Sequence, residues 1–307
     1  MKGKLRIGTR ESQLALWQAN EVKRLLEEQG HECELVYIKS EGDIDLKTPL
    51  YQLGVQGIFT KALDVALLND RIDLAVHSMK DVPIQLATGI VQVAVLKRAS
   101  YKDVFVPKGE FSLVDAANTL VTIATSSVRR KAQWLNRFPN HNIEPIRGNV
   151  NSRLQKVQQE PWQGAIFAAA GLDRTGLRPC NAIELDWMLP APAQGAIMVV
   201  CRENSEHTKE VTHSLNDAPT VLCAKVERDF LSALMGGCAT PISALAVIEG
   251  DKVVFRGNVL SPDGQEKAEV SKQVPIDEAL SLGAVAAKEI LNNGGQKLVE
   301  KFKNAGV

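Results

Sequence analysis

One cysteine of this chain stands where a thiol could react. Cys238 follows Gly236 and Gly237 and precedes Ala239-Thr240-Pro241. Glycines permit positive φ angles and let another molecule approach the backbone closely, so this turn could present the thiol as a nucleophile or as a covalent tether. A free cysteine is also commonly a small buried apolar residue. The local run alone leaves both interpretations open.

Arginine and hydroxyl side chains recur where a predicted strand meets a predicted helix. The segments are 9–12 (TRES), 125–130 (TSSVRR) and 147–153 (RGNVNSR). Unpaired N–H groups and the helix dipole favour an anion at such a junction, and loops at strand ends face the ligand cleft of open α/β sheets. A helix cap beside a solvent-facing arginine would explain each loop singly. Together the three loops predict a ligand with several carboxylates or phosphates.

A further ionisable group follows the apolar strand that ends near Val76. The segment 77–83 (HSMKDVP) places Asp81 beside Lys80. In a cleft, that carboxylate could stabilise a developing cation or move a proton. A surface Lys–Asp pair is the alternative, and His77 is expected to be packed at the strand end rather than to act as a base.

The composition excludes several classes of protein. The 307 residues carry 36 Lys plus Arg and 36 Asp plus Glu, so no global basic field favours nucleic acid. No apolar stretch approaches the roughly 18 residues that a membrane span needs, and no Cys/His spacing suits zinc. We expect a cytoplasmic protein that uses no metal, with five scattered cysteines: Cys33, Cys180, Cys201, Cys223 and Cys238.

The hydrophobic pattern predicts an α/β chain with a sheet covered on both faces in each of its first two domains. In the first, strands are expected at 5–8, 36–38, 74–76 and 91–95, with helices at 14–26 and 61–68. In the second, strands are expected at 121–124, 143–146 and 165–168, with a helix ending at 135 and another at 150–158.

The remaining chain predicts an α+β third domain. It has helices at 221–234 and 276–291 and alternating strands at 244–248, 253–259 and 268–274. The proline, glycine and polar content of residues 97–108 and 189–195 indicates crossings between domains.

Five motifs in this order resemble the porphobilinogen deaminase (hydroxymethylbilane synthase) family over essentially the whole chain. They are HSMKDVP at 77–83, TSSVRR at 125–130, RGNVNSR at 147–153, AAAGLDR at 168–174 and GGC at 236–238. The resemblance implies two domains similar to periplasmic binding proteins and a C-terminal α+β domain. The implied boundaries are 1–97 plus 196–213, then 101–191, then 218–307.

The resemblance also implies a chemistry. A dipyrromethane cofactor is held by a thioether to Cys238, and four porphobilinogens are added in turn, each losing ammonia. The product, hydroxymethylbilane, passes to a downstream tetrapyrrole synthase. A monomer is expected, without nucleic acid, membrane or metal.

Family roles carry over residue by residue. Asp81 is the expected catalytic carboxylate. The expected cofactor-binding residues are Cys238, Lys80, Asp43, Ser127, Arg129, Arg130, Arg153 and Gly171. The expected substrate-binding residues are Arg10, Ser12, Arg147, Arg174, Phe59 and Gln194.

The chain departs from the family pattern at several positions. Gln52 and Gln56 stand where many members have lysines, which removes two positive charges from a loop facing the cleft. Met235 precedes the glycines where glutamate is common, and Ala193 occupies a hinge position often held by glycine. Alanine is disfavoured at positive φ, so Ala193 is expected to stiffen the crossing.

Two other functions fit parts of the sequence. The first two domains alone would suit a non-catalytic two-lobed binder of a polyanionic small molecule, although such a binder needs no tether at Cys238. A cysteine hydrolase pairing Cys238 with His77 or His213 is the third interpretation. Thiol alkylation distinguishes a cysteine hydrolase from the deaminase. It would inactivate a hydrolase with a free Cys238, whereas a Cys238 that carries the dipyrromethane would resist alkylation.

Overall fold

The structure is a computed structural model that describes residues 4–39, 60–116, 119–235 and 240–304. The sequence predictions for Asp43, Gln52, Gln56, Phe59 and Cys238 lie outside these residues. The strands, in chain order, are β1 (Leu5–Thr9), β2 (Cys33–Tyr37), β3 (Leu74–Ser78), β4 (Ile90–Val95), β5 (Asp103–Pro107), β6 (Thr122–Ala124), β7 (Asn142–Glu144), β8 (Gly164–Ala168), β9 (Ile183–Glu184), β10 (Ile197–Arg202), β11 (Ile242–Glu249), β12 (Lys252–Leu260) and β13 (Lys267–Pro275).

The α-helices are α1 (Gln13–Glu28), α2 (Lys61–Leu68), α3 (Leu113–Ala116), α4 (Val128–Arg137), α5 (Val150–Gln159), α6 (Ala169–Thr175), α7 (Glu206–Thr212), α8 (Ala218–Ala233), α9 (Leu282–Ile290) and α10 (Gln296–Asn304). Short 3₁₀ turns lie at Met79–Asp81, His213–Leu215 and Ile276–Ser281. The described residues form two compact units, the first with residues 4–39, 60–99 and 195–221, and the second with residues 100–116, 119–194, 222–235 and 240–304.

The first unit is built on a five-stranded sheet in the order β2-β1-β3-β10-β4. Its strands β2, β1 and β3 are parallel, and β10 runs antiparallel to both β3 and β4. Ser12 is the N-cap of helix α1, and its hydroxyl accepts a hydrogen bond from the Ala15 N–H at 3.4 Å. Its buried face, which includes Val22 and Leu26, packs in the same hydrophobic core as Ile7.

The second unit repeats this plan in a sheet of order β7-β6-β8-β5-β9. Strands β7, β6 and β8 are parallel, and β5 runs antiparallel to β8 and β9. Each sheet therefore has three parallel strands followed by one reversed strand. The predicted α/β class is confirmed.

Strand β5 corrects the sequence prediction that residues 97–108 are only a crossing. All five residues of Asp103–Pro107 are buried, between β8 on one side and β9 on the other. A central strand has no solvent face, so Val104-Phe105-Val106 shows no polar alternation and gives a weak strand signal between polar neighbours.

The second unit also contains a three-stranded antiparallel sheet, β11-β12-β13, with helices against it. The Phe230 ring of α8 meets Phe255 of β12 with centroids 5.1 Å apart. Gly283 lets α9 approach α8, because a Cβ there would lie 2.1 Å from the Val226 carbonyl oxygen. The single helix predicted at 276–291 is instead a 3₁₀ turn followed by α9, and the chain bends again at Gly294, where φ is +99°.

Ala193 adopts a left-handed backbone conformation, as the sequence comparison predicts. Its φ is 61°, its side chain is fully buried, and its N–H donates to Glu227 Oε2 at 2.6 Å. This conformation costs a residue with a Cβ about 1 to 2 kcal/mol. Glu227 is itself fully buried and also accepts from the Ala246 N–H at 2.8 Å, so its carboxylate joins Ala193 to strand β11.

Candidate functional site

Two motif segments of the first unit lie at one edge of its sheet. Strands β1 and β3 are parallel neighbours, with Ile7 opposite Leu74. The chain segments that follow them therefore leave the sheet at the same edge. The first segment carries Arg10 and Ser12, and the second carries Lys80 and Asp81.

Asp81 stands on a well-supported turn. It is exposed at the end of the 3₁₀ turn, while its neighbours Met79 and Val82 are buried. The Met79 N–H donates to the Ala196 carbonyl at 3.0 Å, and the Val82 N–H donates back to the Met79 carbonyl at 3.2 Å. A fixed backbone holding an exposed carboxylate suits a group that acts on a bound molecule.

His77 is packed at the end of β3, as expected, and does not resemble a base. Its side chain is buried, and within the described residues its Nε2 has no hydrogen-bond partner. Burial, with the nearby Arg10 charge adding to it, lowers the pKa of His77 to about 4. The imidazole is therefore neutral at pH 7.

We expect His77→Gln to flatten the acid side of the pH–stability profile. Because the folded-state pKa lies below the unfolded value near 6.5, the stability contributed by neutral His77 is complete above pH 6.5 and is lost as the pH falls toward 4. Relative to the variant, the wild-type free energy of unfolding should fall by about 3 kcal/mol across this range. Urea unfolding at several pH values measures the difference.

The matched control for His77 is His213→Gln, because His213 is an exposed histidine of the same unit. Asp64 lines the same small cavity as His77, and burial raises its pKa to about 6. Wild type and His77→Gln both keep Asp64. The contribution of Asp64 titration to the free energy of unfolding therefore cancels when their two pH profiles are compared. Parallel profiles for wild type and His77→Gln would contradict the prediction.

Three motif segments of the second unit also share one sheet edge. Strands β7, β6 and β8 are adjacent and parallel, so the loops after them leave the sheet on the same side. The loop after β6 carries 125–130, the loop after β7 carries 147–153, and α6 after β8 carries Gly171 and Arg174. The topology thus gathers the arginine-bearing motifs of this unit.

The segment 125–130 forms a capped helix start. The Ser127 hydroxyl accepts from the Arg130 N–H at 3.4 Å and caps α4. The Ser126 hydroxyl donates to the Ile146 carbonyl at 2.8 Å, which ties this loop to the one after β7. The N–H groups of the first turn of α4 therefore face the same edge as the arginines.

The two arginines of α4 are buried around one carboxylate. Arg129 Nη2 lies 2.7 Å from Asp103 Oδ2, and Arg130 Nη2 lies 2.8 Å from Asp103 Oδ1. Gln194 Nε2 donates to the same Oδ1 at 2.9 Å and to the Tyr101 carbonyl at 2.8 Å. Burial lowers the pKa of Arg129, against the attraction of Asp103.

The other predicted residues of this unit lie along the same edge. Arg153 Nε donates to the Gly148 carbonyl at 2.7 Å, and Gly148 has a φ of +116°. The Arg147 side chain is buried, Gly171 is buried in α6, and Arg174 is half-buried in the last turn of that helix. Within the second unit the structure therefore brings together Ser127, Arg129, Arg130, Arg147, Arg153, Gly171, Arg174 and Gln194.

Sequence reasoning missed Asp103. Asp103 starts β5, but the sequence predicts a crossing over 97–108 and therefore places this carboxylate in a linker. A signal was present: an aspartate directly before the apolar run Val104-Phe105-Val106 must end up at the edge of a buried strand. A charge there needs a partner, and arginines at a neighbouring sheet edge could supply it.

The described cysteines differ in their availability. Cys33, Cys201 and Cys223 are buried, and Cys180 is exposed. Burial raises the pKa of Cys33 and of Cys201 to about 11, which makes their thiolates scarce at pH 7. Cys180 is thus the accessible thiol among the described cysteines.

The described residues contain neither a metal-binding cluster nor a helix that could span a membrane. No group of three or more His, Cys, Asp or Glu side chains in ranges 4–39, 60–116, 119–235 and 240–304 could hold a metal ion. No helix in that part of the chain is long and apolar enough to cross a membrane.

Comparison with solved structures finds partial likenesses to two binding proteins. An ancestral cationic amino acid solute binding protein is 12% identical, with a TM-score of 0.44, and the match covers 70% of this chain and 88% of that one. The methionine binding protein MetQ is 14% identical, with a TM-score of 0.43, over 71% of this chain and 92% of that one.

Sequence comparisons identify the family. Residues 5–210 match the model described as "Porphobilinogen deaminase, dipyromethane cofactor binding domain", and residues 221–292 match "Porphobilinogen deaminase, C-terminal domain". Porphobilinogen deaminases from two strains of Acidithiobacillus ferrooxidans are each 38% identical over 311 aligned positions, covering 99% of this chain and all of those proteins. The chain therefore belongs to the porphobilinogen deaminase family.

Proposed function

We propose that this chain is a transferase that joins four porphobilinogens head to tail, releases ammonia at each addition, and then releases hydroxymethylbilane. The observation that carries the proposal is the edge of the second unit, where the loops and helices that follow three adjacent parallel strands carry arginines. Porphobilinogen has an acetate and a propionate, so the growing chain accumulates carboxylates. Guanidinium groups bind carboxylates with paired, charge-assisted hydrogen bonds.

The donor set of the second unit fits a dipyrromethane, which carries four such carboxylates. In the proposal, Ser127, Arg129, Arg130, Arg153 and Gly171 hold it, together with Lys80, Asp43 and the thioether at Cys238. When bound, the dipyrromethane supplies the pyrrole carbon to which the first substrate is joined. Substrate carboxylates are assigned to Arg10, Ser12, Arg147, Arg174 and Gln194, with Phe59 beside the pyrrole.

Asp81 is assigned the charge and proton chemistry. Porphobilinogen that loses ammonia becomes an electron-poor methylene, so positive charge develops on its ring nitrogen. An exposed carboxylate on the supported turn after β3 can stabilise that charge. It can also accept the proton lost when the new carbon–carbon bond forms. Lys80 beside it supplies a cation for a substrate carboxylate.

We further infer a monomer in the cytoplasm that passes its product to a tetrapyrrole synthase. The balance of 36 basic and 36 acidic residues favours neither nucleic acid nor an anionic surface. The five cysteines have no paired spacing, which supports a reducing compartment.

The intact mass of the purified protein tests the proposal. We expect an excess mass equal to a dipyrromethane, located on the Cys238 peptide, and a positive colour reaction with acidic dimethylaminobenzaldehyde. Adding porphobilinogen should then yield hydroxymethylbilane. An unmodified chain that gives no colour and forms no product with porphobilinogen would instead support the two-lobed binding protein.

A further inference from the structure

Asp103 is a fully buried carboxylate at the centre of the arginine-bearing edge. It is the first residue of β5, and its side chain has no exposed surface. Arg130 reaches Oδ1 with both Nε, at 3.1 Å, and Nη2, at 2.8 Å. Arg129 reaches Oδ2 at 2.7 Å. One carboxylate therefore holds two guanidinium groups that are neighbours in sequence.

The remaining contacts of both guanidiniums fix their planes. Arg129 Nη1 donates to the Leu189 carbonyl at 2.6 Å, and Arg130 Nη1 donates to the Ile166 carbonyl at 3.0 Å. A guanidinium is planar and presents its donors in a rigid fork. With donors bound on two sides, neither arginine can turn without breaking both a hydrogen bond to a backbone carbonyl and its ion pair with the buried Asp103 carboxylate.

The charges of this cluster do not cancel. Two guanidiniums carry two positive charges and Asp103 carries one negative charge, which leaves one positive charge in a buried setting. Gln194 adds a neutral donor to Oδ1 and keeps that oxygen from turning away. Asp103 therefore reduces the repulsion between the two arginines, and the cluster keeps one net positive charge that can attract an anion.

We infer that Asp103 is a positioning residue for the family's reaction. It fixes the Arg129 and Arg130 guanidiniums, so that carboxylates of the dipyrromethane bind to groups that are already oriented. Gln194 supports the same carboxylate. The inference rests on the proposed function, because it assigns the two arginines to that ligand.

The cost of losing Asp103 follows from its position. Asp103→Asn keeps the shape of the side chain, removes the negative charge and turns an acceptor into an N–H donor that faces a guanidinium. Two like charges are then buried side by side without a counter-ion. The arginines are expected to rotate apart or take up an anion from solvent, and the fixed orientation is lost.

The experiment compares Asp103→Asn with a matched control on the holoenzyme as purified. In the first unit, Asp73 also lies between two arginines, with Arg6 Nη2 at 2.8 Å and Arg202 Nη2 at 3.9 Å. It precedes β3 and so lies at the sheet edge opposite the Lys80–Asp81 turn. Asp73→Asn is therefore the same chemical change in a more exposed two-arginine ion pair outside the proposed site.

The readout is the ratio of chains with dipyrromethane to chains without it, measured by intact mass, alongside the unfolding temperature. We expect Asp103→Asn to lower that ratio at least about tenfold, because the thioether forms on a dipyrromethane whose carboxylates are held in place, and a misplaced group reacts more slowly. Asp73→Asn should lower the unfolding temperature and leave the ratio unchanged. A merely structural role would move only the temperature.

Two results separate the possible failures. If wild type carries no dipyrromethane and forms no product with porphobilinogen, the proposed function fails; if wild type carries dipyrromethane and Asp103→Asn matches Asp73→Asn, the positioning role fails. Should Asp103→Asn yield no folded protein, Asp103→Glu keeps the charge and displaces the carboxylate by one methylene. We expect Asp103→Glu to lower the ratio at least about threefold, and an unchanged ratio would overturn the inference.

Discussion

Asp81→Asn is expected to lower the turnover of porphobilinogen at least about a hundredfold, the scale on which a positioned acid or base contributes. The amide has the shape of the carboxylate but can neither hold a negative charge beside a developing cation nor accept a proton. Because Asp81 is exposed and its neighbours Met79 and Val82 hold the turn, folding should be unaffected. The measurement is kcat per chain that carries dipyrromethane.

The same substitution elsewhere controls for the loss of a carboxylate. Asp70 is an exposed aspartate of the first unit that pairs with Arg6 and Arg202, each at 2.8 Å. Its φ is 55°, which asparagine tolerates. Asp70→Asn should keep the wild-type kcat. Asp81→Asn should carry the same amount of dipyrromethane as wild type. Near-normal kcat in Asp81→Asn would remove the catalytic role from this residue.

The fold was predictable where the sequence pattern has a single physical explanation. Helix α2 matches the predicted 61–68, because its apolar residues recur with helical spacing between polar ends. Ser12 was predictable as a cap because its hydroxyl suits the unpaired N–H groups of a helix start. The long antiparallel strands β11 to β13 are rich in β-branched and other apolar residues, and they extend the predicted ranges by one or two residues at each end.

Prediction failed where long-range pairing decides the structure. Strand β5 forms because β8 and β9 supply partners for its backbone, and no local pattern reveals partners that lie tens of residues away. The same strand carries Asp103, so missing it hid the carboxylate that binds Arg129 and Arg130. The alternative for this loop is a helix cap beside a solvent-facing arginine. The structure confirms the cap at Ser127, but both guanidiniums are buried.

Ala193 shows how a comparison of motifs can carry conformational information. The expectation that this alanine meets a glycine-like backbone came from the family pattern alone, and its φ of 61° agrees. The hydrogen bond that offsets the cost of this conformation was not predictable. The Glu227 carboxylate that accepts from the Ala193 N–H lies 34 residues later in the chain, on a helix. A buried acceptor offsets part of the conformational cost.

Cys238→Ser is expected to abolish retention of the dipyrromethane and with it at least about 99% of turnover, because an alcohol is a far weaker nucleophile than a thiol at neutral pH. Thioether formation joins the cysteine sulfur to a methylene carbon as ammonia leaves and the thiol loses its proton. A serine hydroxyl would have to lose its proton at a pH far below its own pKa. Intact mass and turnover, measured on the same preparation, test both effects.

The other cysteines decide which control is informative. Cys33 and Cys201 are poor candidates for a tether, because burial raises the pKa of both thiols to about 11. Cys180 is exposed and could be modified by any electrophile in solution, so Cys180→Ser is the stringent comparison. It should retain the full dipyrromethane mass and normal turnover. An adduct that persists in Cys238→Ser and disappears in Cys180→Ser would move the tether to Cys180.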